Sequence, residues 1–187
     1  FCTSQSALDD AYFDEGGFVQ SAHPGAVLID FSASTPGFAR ELGAVATVSD
    51  LGFVEAPIAL EDMLDPRPFD EENLVCYVAG EEDAVAAAQG LLNAVCGRVV
   101  ECGAAGTAQL MRAVRTLQEA AAVVSAIEAN ALVRAAHRAA LGNGLSDVAI
   151  SGLSEPAERM LEAVREKRFE GAFTAEMFLS ELQAALA

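Results

Sequence analysis

Arg112 and Arg115 lie three positions apart in a chain with only 11 basic residues. A helix would place both side chains on one face. A guanidinium group stays charged at neutral pH, so it could clamp or polarise an anionic or carbonyl-like substrate but could not act as an acid. The same spacing also fits an ordinary solvated face, in which Arg115 and Glu119 form an i, i+4 ion pair.

A glycine turn directly precedes these arginines. Gly103-Ala-Ala-Gly106 follows the apolar run RVVEC, and Thr107 opens a helical pattern. Backbone N–H groups at a helix N-terminus favour an anion, so the turn is a candidate anion site. It is not a G-x-G-x-x-G turn, and a plain strand-to-helix connection remains the alternative.

A second candidate site follows the apolar run 27–32. Ser32, Ser34 and Thr35 stand at the end of this run, before Pro36. The carboxyl ends of strands are where open α/β sheets place their ligands. These hydroxyl groups could therefore contact a ligand, or Ser34 or Thr35 could cap the helix that follows.

The first half of the chain alternates between strand and helix patterns. We expect strands at 27–32, 52–58, 73–80 and 98–102, and helices at 37–46 and 83–95. The Pro- and acid-rich segment 60–72 is expected to be a loop. Such alternation predicts an α/β layer with a partly parallel sheet.

The second half is predicted to be helical. Residues 107–141 contain neither Gly nor Pro, which predicts a helix of about 50 Å that crosses between domains or subunits. Gly142-Asn-Gly144 should end it, and further helices are expected at 155–168 and 175–187. The sequence thus predicts an α/β part over 1–103 and a helical part over 104–187.

The composition excludes several classes of partner. The formal net charge is −17, whereas nucleic acids and anionic membranes attract basic surfaces, so neither is an expected partner. No apolar run is long enough to span a membrane and no secretory signal is visible. Cys76 and Cys102 belong to apolar runs and are predicted to be reduced core residues, which fits the cytoplasm. Neither histidine has neighbours at metal-ligand spacing, so no metal is expected.

Taken in order, several segments resemble the β-hydroxyacid dehydrogenase superfamily, which includes 3-hydroxyisobutyrate and 6-phosphogluconate dehydrogenases and a related imine reductase branch. Segment 2–42 resembles its late Rossmann region, with PGAVLID followed by Ser, Thr and Pro before a helix. GFVEAPI resembles the strand that ends in Asp/Glu-Ala-Pro, and 77–103 resembles the next strand, helix and strand. GAAGTAQLMRAVRTL falls on the catalytic helix, and 159–186 is similar to the late R-M-L region.

The resemblance implies the C-terminal part of a Rossmann-type α/β domain, followed by an all-α domain with one long inter-domain helix. It implies an NAD(P)-dependent oxidoreductase that acts on a small C=O/C–OH or C=N substrate, with NADP or NAD as cofactor. It implies catalytic roles for Arg112 and Arg115. The implied cofactor contacts are Thr3, Ser4, Ser32, Ser34 and Gly106, and the implied substrate contacts are Ala59, Leu60, Glu61 and Thr116.

The chain also departs from the family pattern. The catalytic Lys is replaced by Arg112, its Asn partner by Arg115 or Thr116, and the carboxylate-receiving Ser-Gly-Gly by 59–61. The usual Lys-assisted oxidation is therefore not expected, which leaves C=N reduction as a second reaction. A non-catalytic ligand-binding or dimerisation protein is the alternative from another class.

Two further expectations follow from the resemblance. The G-x-G-x-x-G unit of the family would precede Phe1, so this sequence is expected to lack the main pyrophosphate site, whether it is a piece of a longer enzyme or a repurposed scaffold. The helix predicted over 107–141 should form a homodimer through Val123, Val124, Ile127 and Leu132.

Overall fold

The computed structural model of this chain describes residues 1–62 and 65–138, with a few positions between 158 and 185. In chain order the elements are α1 (Gln5–Phe13), α2 (Phe18–Ser21), β1 (Val27–Asp30), α3 (Pro36–Val48), β2 (Gly52–Glu55), β3 (Ile58–Leu60), a 3-10 turn (Glu71–Asn73), β4 (Leu74–Gly80), α4 (Glu82–Val95), β5 (Arg98–Gly103) and α5 (Thr107–Arg138). This is the predicted order of an α/β part followed by a long helix.

The five strands form one mixed sheet. β1 and β2 run parallel, as do β4 and β5, whereas β2 and β3 are both antiparallel to β4. β2 and β3 pair with successive parts of one edge of β4, and β5 takes the other edge. The prediction of a partly parallel sheet is therefore confirmed.

The prediction of a single strand over 52–58 is wrong. The segment forms two strands, β2 and β3, which are separated by Ala56 and Pro57. Proline has no N–H to donate to a ladder, so it interrupts pairing. The Pro57 carbonyl still accepts a hydrogen bond from the Tyr77 N–H at 3.2 Å, which bridges the interruption.

Helices cover both faces of the sheet. α4 packs on the face that carries Val54, Cys76 and Val78. α3 covers the opposite face at Phe53, and the start of α5 covers it at Tyr77. Alternate residues of a strand point to opposite faces, so each buried strand supplies side chains to both layers.

Side-chain caps fix where two of the helices begin. The Thr35 hydroxyl accepts from the Phe38 N–H at 3.1 Å, and Pro36 follows it in the first turn of α3. Of the two predicted capping residues, Thr35 is the one used. Ser4 caps α1 by accepting from the Ala7 N–H at 3.2 Å. Both caps satisfy N–H groups that a first helical turn leaves without a partner.

The long helix is confirmed as far as the structure describes it. α5 contains 32 residues, and its first turns pack against β4 and β5. Its predicted continuation to Leu141 and the glycine stop at 142–144 lie outside the described residues. The predicted helix 155–168 is described in part, and its described positions 158, 159 and 162–164 are helical. The predicted helix 175–187 lies largely outside the described residues. No helix in the described part of the chain is long and apolar enough to cross a membrane.

The cysteine prediction is wrong for Cys76. Its sulfur forms a disulfide with that of Cys96, which follows α4, and the Cα atoms are 6.1 Å apart. Cys2 and Cys102 are free. The apolar run around Cys76 predicted a reduced core residue. Its partner Cys96 comes close only when α4 folds back onto β4, and the local sequence does not show this. The cysteines therefore no longer support the predicted cytoplasmic location, which stays a prediction.

Thiol counting tests this disulfide. The unreduced chain, labelled with a maleimide in denaturant, should react at two cysteines, Cys2 and Cys102. After reduction, all four cysteines should react. Intact-mass measurement gives both counts, and four labels before reduction would contradict the disulfide.

Candidate functional site

A buried carboxylate lies against the N-terminus of α5. Glu55, the last residue of β2, is fully buried, and its Oε1 accepts from the N–H groups of Gly106 at 2.5 Å and Ala108 at 3.2 Å. These donors are among those that a helix start leaves without an internal partner, and the helix dipole favours negative charge there. The predicted anion site at the glycine turn is therefore occupied by the Glu55 carboxyl group of the protein itself.

Gly106 is required for this contact. Its φ of +94° is in the left-handed region, and a Cβ there would lie 2.8 Å from the carbonyl oxygen of Pro36. A side chain would force the turn away from α3 and from Glu55. Gly106 was predicted to contact the cofactor, but its N–H is engaged by Glu55.

A second carboxylate, Asp30, ends the neighbouring strand and is paired in register with Glu55. Burial raises the pKa of Glu55; hydrogen bonds to α5 oppose the shift, and the charge of Asp30 adds to it. Burial also raises the pKa of Asp30, opposed by hydrogen bonds from Ser32. Two acidic groups with raised pKa values therefore lie side by side at the carboxyl ends of β1 and β2.

Gln109 joins α5 to the loop between β1 and α3. Its side chain is fully buried, Nε2 donates to the Ser32 carbonyl at 2.9 Å, and Oε1 accepts from the Ser34 N–H at 3.0 Å. The same Oε1 accepts from Arg112 Nε at 3.4 Å. One amide group therefore links the strand-end serines to the arginine.

Arg112 is the largest fully buried side chain among the described residues. A solvated position, which its spacing also allowed, is therefore wrong for Arg112. Taking a guanidinium group out of water is costly, so its position depends closely on the polar contacts around it. Thr116, one helical turn further along α5, is also buried.

Arg115 is bound to the end of β3. Its Nη2 donates to the carbonyl of Leu60 at 2.6 Å and to that of Glu61 at 3.3 Å, and its Nη1 lies 3.5 Å from the Glu61 carboxylate. The predicted pair with Glu119 is confirmed at 2.7 Å, with both side chains about four-fifths buried. Burial opposes the charge of Arg115, but hydrogen bonds to Tyr77 and Glu119 raise its pKa overall.

The predicted loop 60–72 begins one residue later than expected, because Leu60 belongs to β3, and the acidic residues that directly follow are bound by arginines. Glu61 also lies 3.7 Å from Arg98, and Asp62 pairs with Arg159. Ala59 and Leu60 belong to β3 itself. The predicted substrate stretch 59–61 is therefore fixed to α5 through Arg115.

The predicted cofactor contacts occupy different environments. Ser32 is buried, and its hydroxyl oxygen accepts from the Cys2 N–H at 2.7 Å. Ser34 is also buried, but among the described residues its hydroxyl oxygen has no hydrogen-bond partner. Thr3 and Ser4 are exposed, and the Ser4 hydroxyl caps α1. Of these serines, Ser34 has the hydroxyl that is not already used by the protein.

An open cavity in the described part of the chain does not coincide with these residues. It measures about 260 Å³ and is lined by Arg40, Phe53, Gly80, Ala104 and Ala105, among others. Ala104 and Ala105 belong to the glycine turn that was predicted as an anion site, but none of the predicted catalytic, cofactor or substrate contacts lines the cavity. The polar network around Gln109 is therefore the better candidate for a functional site.

Comparison with known proteins decides the family. A family model described as the NAD binding domain of 6-phosphogluconate dehydrogenase matches residues 1–103, more than half of the chain. The chain belongs to this family, within the β-hydroxyacid dehydrogenase superfamily. The resemblance inferred from the motifs is thereby confirmed.

Individual relatives agree with this family. Human mitochondrial 3-hydroxyisobutyrate dehydrogenase is 32% identical over 127 residues, which cover 68% of this chain and 36% of the human protein. The crystal structure of 3-hydroxyisobutyrate dehydrogenase from Salmonella typhimurium matches 97% of this chain and 62% of its own, at 18% identity and a TM-score of 0.70. Psf3 in complex with NADP+ and 2-OPP matches 97% of this chain and 70% of its own, at 19% identity and a TM-score of 0.67. The chain thus spans about a third of the human relative.

A nicotinamide cofactor of this family fits one observation at the site. The Ser34 hydroxyl is buried at the carboxyl end of β1, and among the described residues it has no hydrogen-bond partner. A buried hydroxyl without a hydrogen bond destabilises the fold, and a polar group of a bound ligand would supply that bond. Carboxyl ends of strands are the usual ligand positions in α/β sheets. In the described residues, no cluster of three His, Cys, Asp or Glu side chains could hold a metal ion.

Sequence reasoning did not select Glu55 or Gln109. Glu55 was noticed only as the acid in a Glu-Ala-Pro pattern, and its position at a strand end was the available signal. Gln109 lies three residues before Arg112, so the spacing that paired Arg112 with Arg115 also applied to it. Its contacts with Ser32 and Ser34 span more than 70 residues and depend on the tertiary fold.

Replacing Glu55 by Gln should flatten the pH dependence of stability. The raised pKa means that the folded state binds this proton more tightly than the unfolded state. The free energy of unfolding should therefore fall as pH rises from about 4.5 through the raised pKa, and Gln removes that loss while keeping an oxygen for the two N–H groups. Urea denaturation between about pH 5 and pH 8 measures the slope.

The exposed Glu41→Gln variant on α3 is the matched control, because it makes the same chemical change outside the site. It should retain the slope of the unsubstituted chain. Equal slopes for the Glu55→Gln variant and the unsubstituted chain would contradict the assigned direction of the Glu55 pKa.

Proposed function

We propose that this chain forms part of an NAD(P)-dependent oxidoreductase that transfers hydride to or from a carbon of a small C=O/C–OH or C=N substrate. The proposal is supported by membership of an NAD-binding dehydrogenase family. The observation that carries it is the contact between the β1–α3 loop and the first turns of α5. There the buried Ser34 and the buried Arg112 meet through a single intervening side chain.

The β1–α3 loop and the segment before α1 both carry residues that are suited to hold the cofactor. The Ser34 hydroxyl would bond a polar group of the nicotinamide end, and Thr3 and Ser4 would lie along its more exposed part. A bound nicotinamide nucleotide supplies or accepts the hydride. Both NADP and NAD are compatible with these residues, so both are tested.

Arg112 would orient the substrate and stabilise negative charge. Its guanidinium stays protonated, so it would donate hydrogen bonds to an oxygen on which charge develops and would not exchange a proton. In a buried setting such an interaction is stronger than in water. Arg115 would act indirectly, because it holds the end of β3, with Leu60 and Glu61, beside α5.

Glu61 favours substrates that carry no carboxylate. Its carboxylate is half exposed at the end of β3, where Arg115 and Arg98 offset part of its charge. An anionic substrate would be repelled by the remaining field, whereas an iminium cation would be attracted. Reduction of a C=N bond is therefore the second candidate reaction.

A non-catalytic ligand-binding protein built on the same scaffold is the alternative. It is favoured by Arg112, which cannot take over the proton transfer of a lysine. The two alternatives differ in turnover: both would bind a nicotinamide nucleotide, but only the oxidoreductase would oxidise or reduce it with substrate.

Cofactor binding and turnover test the proposal together. Calorimetric titration with NADPH and NADH should give micromolar binding for at least one of them, and a panel of ketones, aldehydes and cyclic imines should reveal turnover. The Arg112→Met variant should keep cofactor binding and lose about 100-fold in turnover, a typical cost of removing a charge-stabilising donor.

The Arg134→Met variant is the control, because Arg134 is exposed on the same helix and should leave both quantities unchanged. If this chain binds neither nucleotide, the same titration on the longest natural reading frame decides, and failure to bind there would refute the oxidoreductase. Binding without turnover on any substrate class would favour the non-catalytic alternative.

We also propose that α5 pairs with its copy in a homodimer. Val124, Ile127 and Leu132 are exposed among the described residues, at helical spacing along α5, whereas Val123 is half buried. Exposed apolar side chains on one face of a long helix favour association, because pairing removes them from water.

Light scattering should therefore give twice the mass of one chain. The double variant Val124→Asp and Leu132→Asp should shift the protein to a monomer, because charge is costly in an apolar interface. Gln118→Asp, on an exposed position of α5, should remain dimeric. A monomeric unsubstituted chain would contradict the proposal.

A further inference from the structure

Gln109 forms hydrogen bonds that only one orientation of its amide can make. The Ser32 carbonyl can only accept, so it requires the Nε2 amino group, while the Ser34 N–H can only donate, so it requires Oε1. Arg112 Nε–H, also a donor, meets the same Oε1. Turning the amide over would oppose donor to donor and acceptor to acceptor.

The three contacts therefore act as one unit. Donation from Nε2 to the Ser32 carbonyl polarises the amide and makes Oε1 a better acceptor for Ser34 and for the cationic Arg112. Gln109 is fully buried, so water cannot replace any of these bonds. A change in the position of the loop would be transmitted to the arginine through a single rigid group.

We infer that Gln109 is a positioning residue whose one amide holds the cofactor-binding loop, Ser32 to Ser34, and the Arg112 side chain in a single arrangement. This inference rests on the proposed function, since it assigns the loop to the cofactor and Arg112 to the substrate. Gln109 itself touches neither. It sets the distance between the groups that do.

Three variants separate this role from general packing. Gln109→Leu has nearly the same volume and removes all three hydrogen bonds. Gln109→Glu keeps an oxygen for the Ser34 N–H and for Arg112 Nε, but it replaces the donor that faces the Ser32 carbonyl by a second acceptor. Gln118→Leu is the matched control, because Gln118 is exposed on the same helix.

Hydrogen exchange measured by NMR reports the Gln109–Ser34 and Gln109–Arg112 hydrogen bonds separately, and it needs no substrate. In the Gln109→Leu variant, the Ser34 amide and Arg112 Nε–H should exchange at least about tenfold faster. The Ala108 amide, bonded to Glu55, and Arg115 Nε–H, bonded to Glu119, should keep their rates as internal controls. In the Gln109→Glu variant, Ser34 and Arg112 should stay protected.

Titration with NADPH reports whether the hydrogen bonds of Gln109 affect the affinity for the cofactor. The Gln109→Leu variant should bind NADPH at least about tenfold more weakly, and the Gln109→Glu variant should recover most of that loss. Unchanged exchange at Ser34 and Arg112 in the Gln109→Leu variant would overturn the inference. Faster exchange at Ser34 and Arg112 with unchanged NADPH affinity would also overturn the inference, because the hydrogen bonds of Gln109 would then have no role in cofactor binding.

Two further outcomes are decided by the same experiment. If neither the unsubstituted chain nor the longest natural reading frame binds NADPH, the proposed function fails, and the exchange rates alone decide whether Gln109 holds the loop and Arg112 together. If the Gln109→Leu variant does not fold, Gln109→Asn makes the same test, because its amide is one methylene shorter and cannot reach both sides.

Discussion

The contact between the Glu55 carboxylate and the first N–H groups of α5 is the constraint on which the site depends. It ties the end of β2 to the start of a 32-residue helix, at a turn where only glycine fits at position 106. The first turn of α5 is thereby fixed over the sheet. The position of that turn determines where Gln109, Arg112 and Arg115 lie. A substitution that shifted the turn would displace all three side chains.

Two of the ten arginines of this acidic chain lie in the first turns of α5, where the charge of the chain favours them. With a net charge of −17, any cation inside the α/β half is surrounded by a favourable field. Arg112 is fully buried, and Arg115 holds the acidic end of β3 against α5. The pKa values of Asp30 and Glu55 are raised by burial, so the site combines buried cations with acids that ionise reluctantly.

From β1 to α5 the order of strands and helices was predictable, because each element has its own periodicity and its own start and stop residues, such as Thr35 and Pro36 before α3; α1 and α2 were not predicted in this way. The motifs also predicted the family. The break at Pro57, the Cys76–Cys96 disulfide and the roles of Glu55 and Gln109 were not predicted, since each depends on residues far apart in sequence. Arg112 shows the limit most clearly, because its spacing favoured a solvated face, whereas the structure buries its side chain.

A crystal structure of the chain grown with NADPH or NADH is the most direct test of the central claim, that the Ser32–Ser34 loop and the first turns of α5 form one nicotinamide site. The account predicts a nicotinamide carboxamide within hydrogen-bond distance of Ser34 Oγ, with the ring between that loop and α5. A dinucleotide bound elsewhere, for example in the cavity beside Arg40 and Phe53, with Ser34 still without a partner, would contradict it.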